Sequence, residues 1–583
     1  MTAHDLVIRG GNVIDGTGTP SRLADVAVSD GVITEVGRVE GTGRREIDAD
    51  GLLVTPGFVD IHTHYDGQAT WDANLTPSCW HGVTTAIMGN CGVGFAPARP
   101  DGHDALIELM EGVEDIPGSA LSEGMTWGWE SFEQYLDALA TTPHSLDFAT
   151  QVPHAALRAY VMGDRALLDA TPDDVAAMAA LLTGGLRAGA LGFSTGRTAG
   201  HRDVHGNPVP GTYAALDELT ALADAVVAAG HGVMQVVPAG VGGAMAGDAD
   251  DSMDAELEWM IDLGLHKRMP ITFLAMQQGG DVDHWKPWFD RVRAANAAGA
   301  DLRPQVGCRC FGVLMGLQSR LNPLRHRAAY QAIAHVPLAE RVELMKRSEV
   351  RAAILADTPD HSGPFAMDQI GRRAFDRLFP LTGDAGSALD YEPTSDQSIG
   401  AIARRDGLDP WEVAYDAMLG SQGREFLLLP LLNYGGDSYD GLSEMMHDPM
   451  TVQGLGDGGA HVGLVCDASM TTYLMSYWTR DRTRGDRLPL ELAVRRLTSD
   501  PAVLYGLGDR GVVAVGRKAD LNVIDHERLQ LLHPEQVSDL PAGASRLIQK
   551  ADGYVSTIVS GEEVIAHGEL TGSLPGRLVR GPR

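Results

Sequence analysis

Residues 55–66 read TPGFVDIHTHYD. A short apolar run, Phe58 to Ile61, follows Pro56-Gly57 and stops at His62-Thr63-His64, with Asp60 before the pair and Asp66 after it. On an extended strand alternate side chains share a face, so His62 and His64 point the same way and offer two imidazoles to one metal ion. At the end of a buried strand, the spacing favours a ligand pair over two unrelated surface histidines.

Downstream of this stretch the chain alternates between apolar strand-like runs and Ala- and Leu-rich helical ones. Candidate strands lie at 58–64, 82–91, 147–154, 190–196, 232–238, 270–277, 301–308 and 451–457. Candidate helices include 173–189, 216–230, 287–299 and 489–500. Strands alternating with helices in this number predict an α/β chain with a (β/α)8 TIM-like barrel over residues 58–510, whose active site collects the C-terminal ends of the strands. Upstream, residues 5–57 read as short strands punctuated by Gly-Gly, Asp-Gly and Gly-Thr-Gly, and the segment from 511 onward has the same texture. The two ends, 1–57 and 511–583, are expected to build one small β-sandwich, since chain termini often lie together. Segments at about 97–135 and 320–400 break the alternation and read as insertions over the barrel mouth, serving as lid or oligomer contact. Trp127, Trp129, Trp285 and Trp288 fall in irregular stretches, where anchoring an insertion is the commoner role than lining a pocket.

With 583 residues the chain is long for one ordinary domain and has ample apolar material for a large core. Its formal charge of -32 excludes nucleic acid and anionic membrane surfaces as partners, because both would repel it. Five cysteines, an odd and sparse set, point to a reducing compartment. The opening residues lack a basic region followed by an apolar core, and no apolar run reaches the ~20 residues needed to span a bilayer. A cytoplasmic protein is expected.

Chemistry-bearing residues collect at the predicted strand ends. Cys91, in MGNCGVG, is either a thiolate able to ligate or bridge zinc or a small buried core cysteine. Asp457 closes the last strand ahead of Gly458-Gly459-Ala460-His461. A carboxylate there binds metal through one oxygen and takes a proton from water through the other. His154, His201, His205 and His461 are second-tier candidates as ligands or substrate donors, with a solvated loop role the default for each. Arg197, Arg202 and Arg309 are candidates for binding an anionic group on the substrate, against salt-bridged loop arginines.

These residues resemble the amidohydrolase superfamily, and within it the N-acyl-D-amino-acid deacylases (D-aminoacylases). The resemblance spans nearly the whole chain: DLVIRGGNVIDGTG, PGFVDIHTHYD, MGNCGVG, ALGFSTG, GDGGAH and RGVVAVGRKADLNVID. It implies a (β/α)8 barrel with a β-sandwich from both termini, zinc, and hydrolysis of an amide by metal-activated water. It carries over His62 and His64 as metal ligands, Cys91 as the metal-binding or bridging thiolate, and Asp457 as the catalytic carboxylate, which the strand-end reading above also makes a metal ligand. The family's histidines at the ends of the fifth and sixth strands are missing, with Val236-Val237 and Ala275-Met276 in their places. Its lysine for the substrate carboxylate falls near Gln277, and its tyrosine-bearing seventh-strand motif is replaced by QVGCRCFG.

The expectation is therefore a hydrolase acting on a C–N amide bond of a small molecule, an N-acyl-amino acid among the candidates, with one zinc ion rather than two. Asp457 acts as general base and acid, and Arg197, His201, Arg202, Arg309 and His461 are substrate-binding candidates. A homo-oligomer is plausible from size and insertions. Two alternatives are a cyclic amide or imide hydrolase or deaminase on the same scaffold, and a ligand-binding protein that has lost the metal. The hydantoinase version is opposed by the absence of a lysine at the fourth strand end, LGFSTG.

Overall fold

Eight short strands, nearly all of them buried along their whole length, form the centre of the computed structural model, which describes residues 3–241, 252–278, 281–357, 372–382 and 389–582. The first is Phe58–Asp60 and the second Val83–Met88; the third is Asp147–Thr150, continued past Gln151 by Val152–Pro153. The fourth to seventh are Gly192–Gly196, Val233–Val237, Pro270–Leu274 and Asp301–Val306, and the eighth is Val452–Gln453. Each pairs in parallel with the next in this order. A parallel bridge between Thr63 and Gly458 links the residues just past the first strand to those just past the eighth. Parallel strands buried on both faces favour apolar runs, as in Val233–Val237 and Pro270–Leu274.

The intervening helices carry their own start and stop signals. Pro172–Ala188 begins at Thr171, whose side chain accepts from Asp174 N in a reciprocal capping box, and ends at Gly189 in the left-handed region. Such a cap contributes about 1 kcal/mol. The helices Leu216–Ala229, Lys286–Ala297 and Leu490–Leu497 fall where the sequence pattern puts them.

Both ends of the chain enter one nine-stranded sheet. Ala3–Val13 pairs with Arg22–Ser29 on one side and with Thr42–Asp48 and Leu53–Pro56 on the other. Leu53–Pro56 pairs antiparallel with Leu521–Ile524, which continues to Tyr554–Val559 and Glu562–Ala566.

Two further regions frame the strand ends. In the first, the helices His103–Glu114 and Gly118–Gly124 are followed by a tryptophan anchor. Trp127 stacks on His103 with ring centroids 3.7 Å apart, and Trp129 Nε1 donates to Phe95 O at 2.8 Å. The second holds a three-stranded sheet, Phe311–Gly316, Phe426–Leu432 and Phe379–Pro380, with its own core around Val313, Tyr330, Phe375, Tyr415 and Leu427. It is tied to the centre by Arg482, whose Nε donates to Glu392 Oε2 at 3.2 Å, both side chains fully buried. Tyr477 OH donates to the same oxygen at 2.6 Å.

All five cysteines are buried and free. Among the described residues no helix is long and apolar enough to cross a membrane.

Candidate metal centre

His62, His64 and Cys91 converge past the ends of the first and second strands, their donor atoms all within 4.8 Å of one another and all buried. His62 Nε2 lies 3.2 Å from Cys91 Sγ, and His64 Nε2 lies 3.7 Å from it. Asp457 Oδ1 closes the group at 3.5 Å from His62 Nε2 and 3.9 Å from His64 Nε2. The two Nε2 atoms thus lie beside both a thiol and a carboxylate.

The backbone is bent to make this happen. Cys91, Leu455, Asp457 and His461 all hold left-handed φ values, 57°, 67°, 44° and 48°. Such conformations cost of order 1–3 kcal/mol each and persist only when the surroundings over-determine them. At Cys91 they do: its N–H donates to Gln235 Oε1 at 2.9 Å, and Gly92 N donates to Ser194 Oγ at 3.1 Å. Gly92 is obligatory, since with φ +76° a Cβ there would sit 2.7 Å from Gly196 N. Asp457 is held by its own N–H, which donates to His62 O at 2.9 Å.

Orientation of the imidazoles comes from a surrounding layer. His62 Nδ1 meets Gln305 Oε1 at 2.9 Å. With the amide oxygen accepting, the proton sits on Nδ1 and leaves the Nε2 lone pair directed at the cluster. His64 Nδ1 faces Glu114 Oε1 at 3.3 Å as a buried pair without hydrogen-bond geometry, and neither atom has a hydrogen-bond partner among the described residues. Glu114 Oε2 lies 3.7 Å from His461 Nε2, and His461 N donates to Glu114 O.

Burial sets the protonation pattern. It holds His62 down to about 4 and His461 to about 3, so both imidazoles are neutral and able to donate a lone pair. It pushes Asp60 and Asp66 up to about 7, against bonds from His62 N and Gly89 N. Cys91, Glu114 and Asp457 are pushed well up by burial, and next by one another and by neighbouring carboxylates. A divalent cation among these donors reverses that balance, because it favours thiolate, carboxylate and neutral imidazole together. Two imidazoles and a thiol mutually within ligand reach, with a carboxylate beside both imidazoles and all of them buried, are a donor set that suits zinc.

The cluster lies at the wall of a cavity of about 890 Å³. His201 and His461 line it as well. The three arginines expected to bind an anionic substrate do not. Arg197 Nε donates to both oxygens of Glu256 at 2.8 and 2.9 Å, and Arg202 Nη1 donates to Gly206 O at 2.8 Å. Arg309 is buried over Tyr391, its Nη2 donating to Asp467 Oδ1 at 2.9 Å. Each guanidinium is committed to a protein acceptor. His154 is structural too: its Nε2 meets Glu218 Oε1 at 2.8 Å, and Arg158 Nη1 donates to the same carboxylate. His205 is exposed beside Glu108.

Sequence reasoning missed Glu114. It is the last residue of the helix His103–Glu114, in a segment read as lid or oligomer-contact material, and the helix has no basic residue in its last turn. An acidic residue at a helix C-terminus opposes the macrodipole, and that misfit was the available signal.

A parallel α/β core with a His-x-His, Cys and Asp cluster at its strand ends defines a metallohydrolase-type site. The chain belongs to the amidohydrolase family, whose profile matches residues 45–565. It is 27% identical over 583 residues to an N-acyl-D-aspartate deacylase of Alcaligenes xylosoxydans xylosoxydans, covering 99% of this chain and 95% of that one. Among solved structures, D-aminoacylase superposes with a TM-score of 0.65 at 23% identity, covering 99% of this chain and 100% of that chain. N-acyl-D-glutamate deacylase from Bordetella bronchiseptica, complexed with zinc and a phosphonate inhibitor, superposes with a TM-score of 0.65 at 22% identity, both chains being covered in full. These relatives are hydrolases acting on C–N bonds other than peptide bonds.

Proposed function

We propose that the protein is a metal-dependent hydrolase cleaving an amide C–N bond of a small molecule, with His62, His64, Cys91 and Asp457 holding one zinc ion. The observation that carries this reading is the convergence of His62, His64 and Cys91 on a cavity wall, with Asp457 beside both imidazoles. Bound there, zinc supplies Lewis acidity toward the amide carbonyl and lowers the pKa of water. The chain's own residues do the rest. Gln305 holds the His62 ring, and the Glu114 carboxylate faces the His64 ring. Asp457, whose Oδ1 faces both Nε2 atoms, takes the proton from the attacking water and returns it to the leaving nitrogen as the C–N bond breaks. His201 and His461, on the same cavity wall, contact the substrate.

The same reading takes the eight parallel strands as a closed (β/α)8 barrel over 58–510, supported by the Thr63–Gly458 bridge. It takes 1–57 plus 511–583 as a β-sandwich, supported by the sheet that the two ends share. Free buried cysteines support a reducing, cytoplasmic setting.

The test is an Asp457→Asn variant loaded with zinc. Loss of turnover by about 10²–10⁴-fold with an unchanged circular dichroism spectrum is expected. Full activity of the variant sinks the mechanism. Metal analysis of protein purified without chelator bears on the holding residues: less than about half an equivalent of zinc, with no activity gained on adding it, favours a non-catalytic protein.

A further inference from the structure

The cavity beside the donor cluster has a largely apolar lining. Its apolar lining includes Val237 and Met276, just at or past the fifth and sixth strands, and Phe311, Val313, Leu429 and Leu431 of the three-stranded sheet. Its size, about 890 Å³, is at the upper end of the ~300–1,000 Å³ of small-molecule sites. Its charge is one-sided. Glu111, Glu114, Asp115, Asp203 and Asp457 line it, while Arg320 is the one lysine or arginine that does so among the described residues. Arg320 Nη1 donates to Asp115 and is thereby neutralised.

With the metal's charge offset by the Cys91 thiolate and the Asp457 carboxylate, a carboxylate-bearing substrate gives up its hydration without gaining a lysine or arginine free of Asp115 among the described lining residues, and meets Glu111, Asp115 and Asp203 on the wall. A large apolar group gains the whole aliphatic face instead. We infer, building on the amide-hydrolase reading above, that the substrate is an uncharged amide carrying a large apolar acyl group, with that group seated against Val237, Met276, Phe311 and Leu429. The positions that leave the cluster without further imidazoles are, on this account, the ones that shape the acyl site.

The experiment compares zinc-loaded protein on N-decanoyl-alaninamide, N-decanoyl-alanine, N-acetyl-alaninamide and N-acetyl-alanine, each as both enantiomers. Hydrolysis is followed by chromatography of the released fatty acid or amine. Binding is read separately by displacement of an apolar fluorophore from the holoprotein. Expected is a kcat/KM for the decanoyl amide about tenfold or more above both the decanoyl acid and the acetyl amide. The same order is expected in displacement. Met276→Trp and Leu429→Trp, each filling the wall, should lower the decanoyl-to-acetyl ratio by about tenfold. Preference for free carboxylates, or a ratio that neither variant moves, overturns the inference while leaving amide hydrolysis standing. No turnover of any substrate, together with selective displacement by the decanoyl amide, instead sinks the hydrolase reading and leaves the acyl site. Absence of both turnover and selective displacement overturns the two together.

Discussion

Replacing Glu114 should loosen the metal without unfolding the protein. Its Oε1 stands 3.3 Å from His64 Nδ1, the ring nitrogen turned away from the donor cluster, and both groups are buried. Two unit charges at that separation interact by about 5 kcal/mol at an effective dielectric of ~20. An imidazole donating its other nitrogen to a cation carries only part of a charge on its Nδ1–H, so a third to a half of that figure, about 1.5–2.5 kcal/mol, is the share at stake. This corresponds to about 10–100-fold in metal affinity, the range found when the outer partner of a ligating histidine is removed. Glu114→Ala should lie near the upper end. Glu114→Gln, which retains an acceptor but not the charge, should lie near the lower one. The backbone tie from His461 N to Glu114 O survives both changes. The assay is zinc competition against a chromophoric chelator, with circular dichroism and a melting curve as controls for the fold. An affinity within about twofold of wild type for a folded Glu114→Ala protein would refute the orienting role; a loss beyond about 10³-fold would refute it in the other direction, by making Glu114 a direct ligand.

Three further outcomes follow from the geometry. Gly92→Ala, at φ +76° and with its new Cβ 2.7 Å from Gly196 N, should displace Cys91 and cost more than about 1 kcal/mol; a melting midpoint and zinc affinity equal to wild type would show that the turn has room. Arg482→Met leaves Glu392 buried without its guanidinium partner, and removing one member of such a pair costs about 3–5 kcal/mol, read as a lower midpoint and faster thermal inactivation; an unchanged inactivation rate contradicts this. At Glu218, burial raises the carboxyl, but the bonds from His154 and Arg158 outweigh it and the net shift is downward. Its stabilisation is therefore complete above the unfolded glutamate value of about 4.3 and is lost as the pH falls through the lower folded value. Wild type should lose more of its melting temperature between about pH 5 and 3 than Glu218→Gln, and parallel curves for the two would speak against the linkage.

What the chain revealed before folding, and what it withheld, divides along a physical line. The eight central strands were legible because burial on both faces leaves no choice but an apolar run, as in Val83–Met88 and Pro270–Leu274. His62 and His64 were legible because a two-residue period puts both on one side of a strand. Cys91 was ambiguous on paper, and its place was decided by a turn whose hydrogen bonds come from Gln235 and Ser194, more than 100 positions away. The arginines were misplaced for the same reason. Nothing local to Arg197 or Arg309 announces Glu256 or Asp467 as the partner that occupies it. Glu114 arrives from a helix outside the strand alternation, and only its conflict with the helix dipole marked it.

The sheet shared by the two ends of the chain also sets a schedule for biogenesis. Pro56 pairs with Leu521, so the strand Leu53–Pro56 emerges from the ribosome long before its partner exists. At ~5–20 residues per second the gap is about 25–90 s. Through that interval the N-terminal strands have an open edge of unpaired amides and carbonyls while the central strands are being made. Nascent chains of this protein should therefore be held by chaperones until the last strands appear, and truncations just short of residue 521 should aggregate rather than fold.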